Sequence, residues 1–403
     1  MRILIVTPHF YPENFKCNDM AFELVRRGNK VSVMTAIPDY PQGHYYDGYG
    51  IFKKRYEVIK GVNIYRSMII PRGSGSSFRL ILNYLSYTFF SALQSLRLGL
   101  FHRYDAIIVH EPSPVLVGIP AVIVKKLQKI PLYFWVLDLW PESLAAAGGI
   151  RNKAILGVFG HLTKWLYKNS DKILISSKGF RESISKKGNF GNKIVFFPNW
   201  IDPALSAFTG CEDQNISLPQ GFLVMYAGNI GNAQDLYSVM HAADLLRDQL
   251  HIHFILLGDG RKKEWVENYI LDHDLKNTVH CLGRFPIEMM QSFFKKADVL
   301  FLSLKDTEIF RLTIPARLQA YMSAGKPIVA MLNGEGADII DEAQCGYHVA
   351  AGDSKGLANL LLDLSTIDKT ILQEKGLNGW KYSQKHYTFC SCMDHLQTIL
   401  GAS

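Results

Sequence analysis

Only six of the 403 residues are cysteine (Cys17, Cys211, Cys281, Cys345, Cys390 and Cys392), and no two of them form a Cys-x-x-Cys pair. The opening residues also lack a basic stretch leading into a cleavable apolar run, so the expected compartment is reducing and cytoplasmic. Long uncharged runs are missing too. The best candidate is bracketed by Arg79 and Arg97 and stays below the roughly 18–20 residues a spanning helix needs. Histidine and acidic residues show no cage spacing, and His251 and His253 merely alternate along a strand, so no metal is expected. The loop Pro8–Lys16, after the first apolar run, has no glycine. That removes the dinucleotide fingerprint and with it a redox cofactor.

What is present suffices for large cores: 48% of the residues are hydrophobic and 20% charged, with Gly and Pro in ordinary number. Disorder is excluded, and the length suits two or three domains. Charge divides the chain. Residues 1–200 hold 27 Lys and Arg against 12 Asp and Glu, a net +15, whereas residues 201–403 hold 17 against 24, a net −7. A basic half calls for an anionic partner such as a phosphate-rich ligand or an anionic lipid surface. No nucleic-acid reading motif accompanies it, so a nucleic-acid partner is not expected.

Short β-branched runs at Arg2–Thr7, Lys30–Thr35, Asp105–Val109, Leu132–Leu137 and Lys172–Ile175 alternate with amphipathic stretches such as Asn18–Gly28 and Gly118–Lys129. The alternation predicts a parallel sheet covered on both faces. A break at Phe196–Ala204 precedes a second alternation starting at Phe222–Ala227. The fold class is therefore α/β, two Rossmann-like domains facing a central cleft. Expected boundaries are 1–200, 201–380 and a terminal helix over 381–403 packing back toward the first domain. Ligands of such sheets bind beyond the carboxyl ends of the strands.

Candidate site residues sit at those ends. Gly228-Asn229-Ile230-Gly231 follows a strand and precedes a helix, where glycine lets backbone amides approach a phosphate; a plain tight turn reads the same way. In Leu304–Gly325, Pro315 opens a helix whose first turn carries Arg317, a guanidinium suited to a diphosphate, with Lys305 and Arg311 as further positive charges. The alternative is a core helix with an incidental arginine. In the first half His110-Glu111 and Asp138 through Glu142 end two strands, and Glu111 and Asp138 are the candidate catalytic carboxylates. His9 and Lys16 are candidates on the acceptor side. Two stretches could meet a bilayer: the aromatic run Phe78–Phe101, which also reads as a buried helix, and the basic amphipathic run Ile150–Lys168.

The segments MRILIVTPHFYPE, NDMAFELVRRGNKVSVMTAIPDYPQGHYYDGYG, FPNWID, YAGNIG, GDG and IPARLQAYMSAGKPIVA together resemble the family 4 retaining glycosyltransferases of the GT-B fold. Within them the chain is most similar to the bacterial O-antigen and capsule N-acetyl-L-fucosaminyl transferase group. The resemblance implies a nucleotide sugar, UDP-linked, as substrate, held by the second domain without metal or other cofactor. It also implies a polyprenyl-diphosphate-linked saccharide acceptor held by the first, at the inner face of the cell membrane. It assigns Gly228, Asn229, Gly231, Lys305 and Arg317 to the donor. Asp138 stands where many relatives place a histidine. The family's Glu-x7-Glu signature falls on Leu312 and Ala320, which leaves Glu308 as a displaced substitute. The alternatives are a nucleotide-sugar epimerase of the same fold and a membrane scaffold that has lost catalysis.

Overall fold

A computed structural model describes residues 1–146, 152–206 and 216–401. Ile150 and Arg151, which open the second membrane candidate, and Cys211 lie outside the described residues. The chain forms two compact units, one built from Met1–Phe197 together with the residues from His395 on, the other from Pro198–Asp394. The division thus falls at 197/198, and of the expected segment 381–403 the part before His395 stays with the second unit.

The first unit is an eight-stranded sheet in the order β3-β4-β2-β1-β5-β6-β7-β8. Its strands are β1 (Arg2–Val6), β2 (Lys30–Ala36), β3 (Tyr56–Ile59), β4 (Val62–Ser67), β5 (Ala106–Glu111), β6 (Leu132–Val136), β7 (Lys172–Ile175) and β8 (Ile194–Phe196). All pairings are parallel except β3 with β4. In register, Ile5 faces Val33 on one side and Ile108 on the other. The central strands are buried along nearly their whole length, as a sheet covered on both faces requires. Connecting helices are α1 (Lys16–Arg26), α2 (Ser77–Phe101), α3 (Gly118–Gln128), α4 (Glu142–Ala146), α5 (Lys153–Asn169) and α6 (Phe180–Lys187).

Helix α2 is amphipathic the wrong way round for a protein core. Its buried positions are mostly polar or small: Asn83, Ser86, Tyr87, Ser91, Ser95 and Leu98. Gly99 lies against Leu127 of α3, so closely that a Cβ there would stand 2.7 Å from Leu127 Cδ1. The large hydrophobics Phe78, Ile81, Leu85, Phe89, Leu93, Leu96, Leu100 and Phe101 are all exposed. Small residues let α2 approach α3, while spacings of three and four align the apolar side chains on the outer face. The alternative reading of this run as a buried helix does not hold for its large apolar side chains.

The second unit is a fully parallel six-stranded sheet in the order β11-β10-β9-β12-β13-β14. It contains β9 (Phe222–Ala227), β10 (Ile252–Leu257), β11 (Val279–Gly283), β12 (Val299–Ser303), β13 (Ile328–Met331) and β14 (Gly346–Val349). Its helices are α7 (Pro203–Ser206), α8 (Leu236–Leu245), α9 (Lys263–Asp272), α10 (Met290–Lys296), α11 (Glu308–Arg311), α12 (Ala316–Ser323), α13 (Glu335–Ala343), α14 (Ser354–Thr366) and α15 (Lys369–His386). Val224, Phe254, Val299 and Val329 from adjacent strands meet Val239, Met240 and Leu361 from the helices in one core. Helix α16 (Phe389–Gly401) carries the chain back into the first unit at His395.

Candidate functional site

In the second unit the turn after β9 is built by backbone lying on backbone. Gly228 has φ +145°, and a Cβ on Gly258 would fall 1.8 Å from the Gly228 carbonyl oxygen. A Cβ on Gly260 would fall 2.4 Å from the Ile230 oxygen. Only glycine admits this approach, so the Gly228–Gly231 loop and the Gly258–Gly260 loop form one surface. Tyr226 Oη donates to the Asn229 oxygen (2.6 Å), and the Ala227 amide donates to Tyr321 Oη (2.8 Å), which pins the turn from both sides.

Arg317, in the first turn of α12, lies over the Tyr226 ring with its guanidinium carbon 4.4 Å from the centroid. It also lies against Gly228, where a Cβ would stand 2.9 Å from its Nε. The loop glycine is thus what lets the guanidinium reach the backbone turn. Burial raises the Tyr226 and Tyr321 phenols, an effect Arg317 opposes in both, so both rings stay neutral around a fixed cation. Proline at 315 and the small Ala316 bring Arg317 to the end of the helix where the macrodipole also favours an anion.

The loop amides do less than the sequence suggests. The Gly228 amide donates to the Leu257 oxygen and the Ile230 amide to the Asp259 oxygen, both at 2.8 Å. The Gly231 amide is held by Gln234 Oε1 at 3.1 Å, a side-chain partner that can turn away. At this turn Arg317 therefore offers an anion more than the glycine amides do. Gly228, Asn229, Gly258, Asp259, Arg284, Phe285 and Met290 line a cavity of about 790 Å³. Gly231, Asp235, Tyr237, Lys262, Trp265 and Lys305 line a smaller one of about 240 Å³. Lys305 and Gly231 therefore share one cavity, and Gly228 and Asn229 the other. Glu308 is exposed at the start of α11 and lines neither cavity. Arg311 does not add free positive charge, because both its Nε (2.5 Å) and Nη2 (2.6 Å) bind Asp306.

In the first unit the carboxyl ends of β1, β2, β5 and β6 gather polar groups. Asp138 is partly exposed; burial raises its carboxyl, while the Ser143 hydroxyl, which donates to Oδ1, opposes the rise. Glu111 is fully buried, and burial with the neighbouring Asp138 charge pushes its carboxyl well above the usual range. Glu111 is thus biased toward its protonated form and buried, and only Asp138 of the two expected carboxylates is open to a substrate. A raised carboxyl stabilises the fold while the unfolded chain is also protonated, and that gain is lost as pH rises through the folded value. Glu111→Gln is accordingly expected to remove a decline of stability with pH that the wild type shows above about pH 4.5. Urea unfolding across pH checks this, and parallel curves would contradict it.

The Tyr84 phenol senses Arg72, Asp138 and Asp39 together, which places the β2 and β6 ends in one neighbourhood. His110 is buried, its imidazole pushed down to about 3, with Nδ1 3.0 Å from Thr7 Oγ1. His9 stands in the same group, bonded to Glu13. Lys16 is the first residue of α1 and half-buried. Among the described residues, the ligand atoms of His9, Glu13 and Asp39 lie within 4.8 Å of one another, the spacing of a metal site. Several of the lone pairs are spent, although Asp39 Oδ1 is buried without a partner. Glu13 Oε1 accepts from the Asp39 and Tyr40 amides, Asp39 Oδ2 from Asn83 Nδ2, and the Arg72 guanidinium already brings a cation 3.9 Å from Asp39. The donor set fits a hydrogen-bonded cluster better than a cation cage. Glu13, Asp39 and Arg72 escaped the sequence reading because they come from separate loops.

Two α/β units, the first on a largely parallel and the second on a fully parallel sheet, are the build of a two-domain GT-B glycosyltransferase. Comparison with known proteins agrees. Residues 16–200 match the glycosyl transferase 4-like domain and residues 221–366 the glycosyl transferases group 1 domain. The chain belongs to these glycosyltransferases, which speaks against the epimerase alternative. It is 25% identical over 295 residues to the "Putative colanic acid biosynthesis glycosyl transferase WcaI" of Escherichia coli (strain K12), covering 69% of this chain and 70% of that one. Among solved structures, Anabaena Alr3699/HepE in complex with UDP superposes with TM-score 0.73 at 14% identity over the whole of both chains. WaaG, a glycosyltransferase involved in lipopolysaccharide biosynthesis, superposes with TM-score 0.68 at 13% identity, also over the whole of both chains.

Proposed function

We propose that the protein transfers an N-acetylated hexosamine, N-acetyl-L-fucosamine or a close relative, from a UDP-sugar to a polyprenyl-diphosphate-linked saccharide in O-antigen or capsule assembly. Transfer retains anomeric configuration and needs no metal. The observation that carries the reading is Arg317, held on Tyr226 against the Gly228 turn beside the 790 Å³ cavity. A guanidinium fixed in this way neutralises the charge that builds on a departing diphosphate without reorganising. Lys305 supplies a second charge at the neighbouring cavity. UDP bound to the Anabaena protein, which shares the fold, supports the choice of nucleotide. A thermal-shift screen across nucleotide sugars tests it: UDP-N-acetyl-L-fucosamine and its isomers are expected to raise the melting temperature, and CDP- and GDP-sugars to leave it unchanged. No response to any UDP-sugar would refute the donor assignment.

The lipid side of the reading rests on α2. Its exposed stripe runs about 37 Å at 1.5 Å per residue, and a soluble surface rarely leaves so long an apolar face uncovered. From Ser67 to Tyr104 the chain has four arginines and no acidic residue. That composition suits an anionic bilayer, on which the helix would lie. Among the described residues no helix is long and apolar enough to cross a membrane. The described part of the second candidate, α5, adds exposed Val158, Lys153, Lys164 and Lys168. Leu85→Glu with Phe89→Glu should lower co-sedimentation with phosphatidylglycerol vesicles about tenfold or more, since each change removes apolar burial and adds like charge. Unchanged sedimentation would move the contact away from α2.

A further inference from the structure

We infer that the cavity between the β3–β4 hairpin and the second half of α2 seats the phosphate of an anionic membrane lipid, whose acyl chains continue along the apolar stripe of α2. The inference rests on the reading of α2 as a helix that lies on a bilayer, and it gives that contact a specific headgroup site. The cavity measures about 640 Å³ and belongs wholly to the first unit. Arg55, Tyr56, Tyr65, Leu93, Arg97 and His102 are among its walls, and among the described residues no carboxylate lines it.

The hairpin supplies a rigid aromatic side. Tyr56 and Tyr65 are cross-strand partners with ring centroids 5.1 Å apart, and the His102 ring abuts Tyr65 at 5.4 Å. Phenols with an apolar body and a polar tip suit the headgroup level of a bilayer. Two guanidiniums complete the site without an acid to neutralise them. Arg55 gives Nε to the Arg66 oxygen at 2.6 Å and Nη1 to the Ile51 oxygen at 3.1 Å, both backbone carbonyls, so its position is fixed and its charge is kept. Arg97 is exposed and, among the described residues, has neither a hydrogen bond nor an ion pair. Its charge reaches into the cavity: burial and the Tyr56 phenol raise the Tyr65 phenol, and Arg97 opposes the rise. Planar forks of donors match a phosphodiester, which accepts through two oxygens.

Leu93 decides between a lipid and a free anion. It lines the cavity and is also 51% exposed in the outward stripe, with Phe89 one turn before it and Leu96 and Leu100 after it. A ligand held by Arg97 therefore meets an apolar track at the mouth of its own site. The cavity also stands apart from the carboxyl ends of the strands, where substrates of such sheets bind. Helix α2 touches that end at Asn83, whose Nδ2 donates to Asp39 Oδ2 just after β2. Arg97 comes 14 residues later, about 21 Å along the helix at 1.5 Å per residue. The site anchors the enzyme and does not take part in the transfer.

Two measurements on the full chain test the inference. The first is co-sedimentation with vesicles of equimolar phosphatidylcholine and phosphatidylglycerol for the wild type, Arg97→Lys and Arg79→Lys. Net charge is the same in all three, and Arg79 stands on α2 outside the cavity walls. Arg97→Lys should weaken binding about fivefold or more, because an ammonium lacks the planar fork, and Arg79→Lys should stay within about twofold. The second follows the Nε–H signals of nitrogen-15 arginine in the protein as monomeric dihexanoyl phosphatidylglycerol, dihexanoyl phosphatidylcholine or inorganic phosphate is added. The Arg55 and Arg97 signals, assigned by their loss in the lysine variants, should move with phosphatidylglycerol at concentrations where the other two leave them in place.

Vesicle binding that Arg97→Lys keeps at the wild-type level would overturn the inference, since diffuse charge would then account for adhesion. Inorganic phosphate that moves both signals as far as phosphatidylglycerol does would overturn it too, by making the cavity a site for a free anion. The bilayer reading of α2 fails in a different way. A wild type that ignores vesicles while its Arg97 signal answers the monomeric lipid keeps the cavity and loses the bilayer contact. Sedimentation lost in Leu85→Glu with Phe89→Glu but kept in Arg97→Lys retains the contact and loses the cavity.

Discussion

Arg317→Ala is expected to lower glycosyl transfer by about 10²–10³-fold, the cost of removing one preorganised donor from a developing oxyanion. The size of the effect follows from how the guanidinium is held. It needs no rearrangement to meet a diphosphate, because Tyr226 and Gly228 fix it before any ligand arrives. Arg317→Lys should recover part of the loss, since an ammonium keeps the charge but neither the planar fork nor the stacking. Both variants should keep their far-ultraviolet circular dichroism and melt within a few degrees of wild type, because the residue is half-buried and sits on no core layer. Product formation with saturating donor is the measurement. Activity of Arg317→Ala within about threefold of wild type would remove the main electrostatic term and with it the donor site as drawn.

Gly258→Ala carries the second large effect, and it acts on structure before chemistry. The added methyl would meet the Gly228 carbonyl oxygen at 1.8 Å, a backbone atom of a strand end that cannot swing aside, and the residue would also have to hold φ +146°. The two loops must separate or the strands must shift. A destabilisation of about 2–4 kcal/mol is expected for such a backbone clash with strain. Since Gly228 is also where Arg317 rests, UDP affinity measured by calorimetry should fall alongside the melting temperature. Gly283→Ala is the control for a positive φ without a clash, because at φ +80° no atom lies within 4 Å of the added methyl. Equal losses in the two variants would mean that strain alone, and not the loop-on-loop contact, sets the cost.

The sequence made the central strands legible because β1, β5, β6, β9 and β10 are apolar runs buried on both faces. The hairpin of β3 and β4 was missed for a physical reason. Its strands carry Tyr56, Glu57, Asn63 and Arg66, and the fully buried Arg66 is tolerable there because Glu57 pairs with it and the Tyr11 carbonyl accepts from it. That partner is a tertiary fact. Strands β8 and β14, three and four residues long, gave too short a pattern to read.

The site divides in the same way. Arg317 was visible because Pro315 marks a helix start and a basic residue in that turn has few structural uses. Tyr226, which holds it, and Tyr321, which pins the turn, looked like core residues, and Arg284, Phe285 and Met290 gave no local signal of lining a cavity. Glu111 and Asp138 end neighbouring strands and look equivalent, yet burial separates one biased toward its protonated form from an open one. The apolar character of α2 was plain, but which side faced inward depended on Gly99 and the serines seating it against α3.

Because His395–Gly401 belongs to the first unit, that unit is the last to be finished although it is the first to be synthesised. His395 Nε2 sits 3.0 Å from the Phe196 oxygen and Gln397 Oε1 accepts from Arg27 at 2.6 Å, so the last strand and the end of α1 are tied by residues nearly 200 and 370 positions away. On the ribosome, the second unit is complete while the first still lacks its closing segment. A nascent chain arrested before residue 395 should therefore hold a folded second unit and a first unit open to protease, and release of the remaining residues should close it.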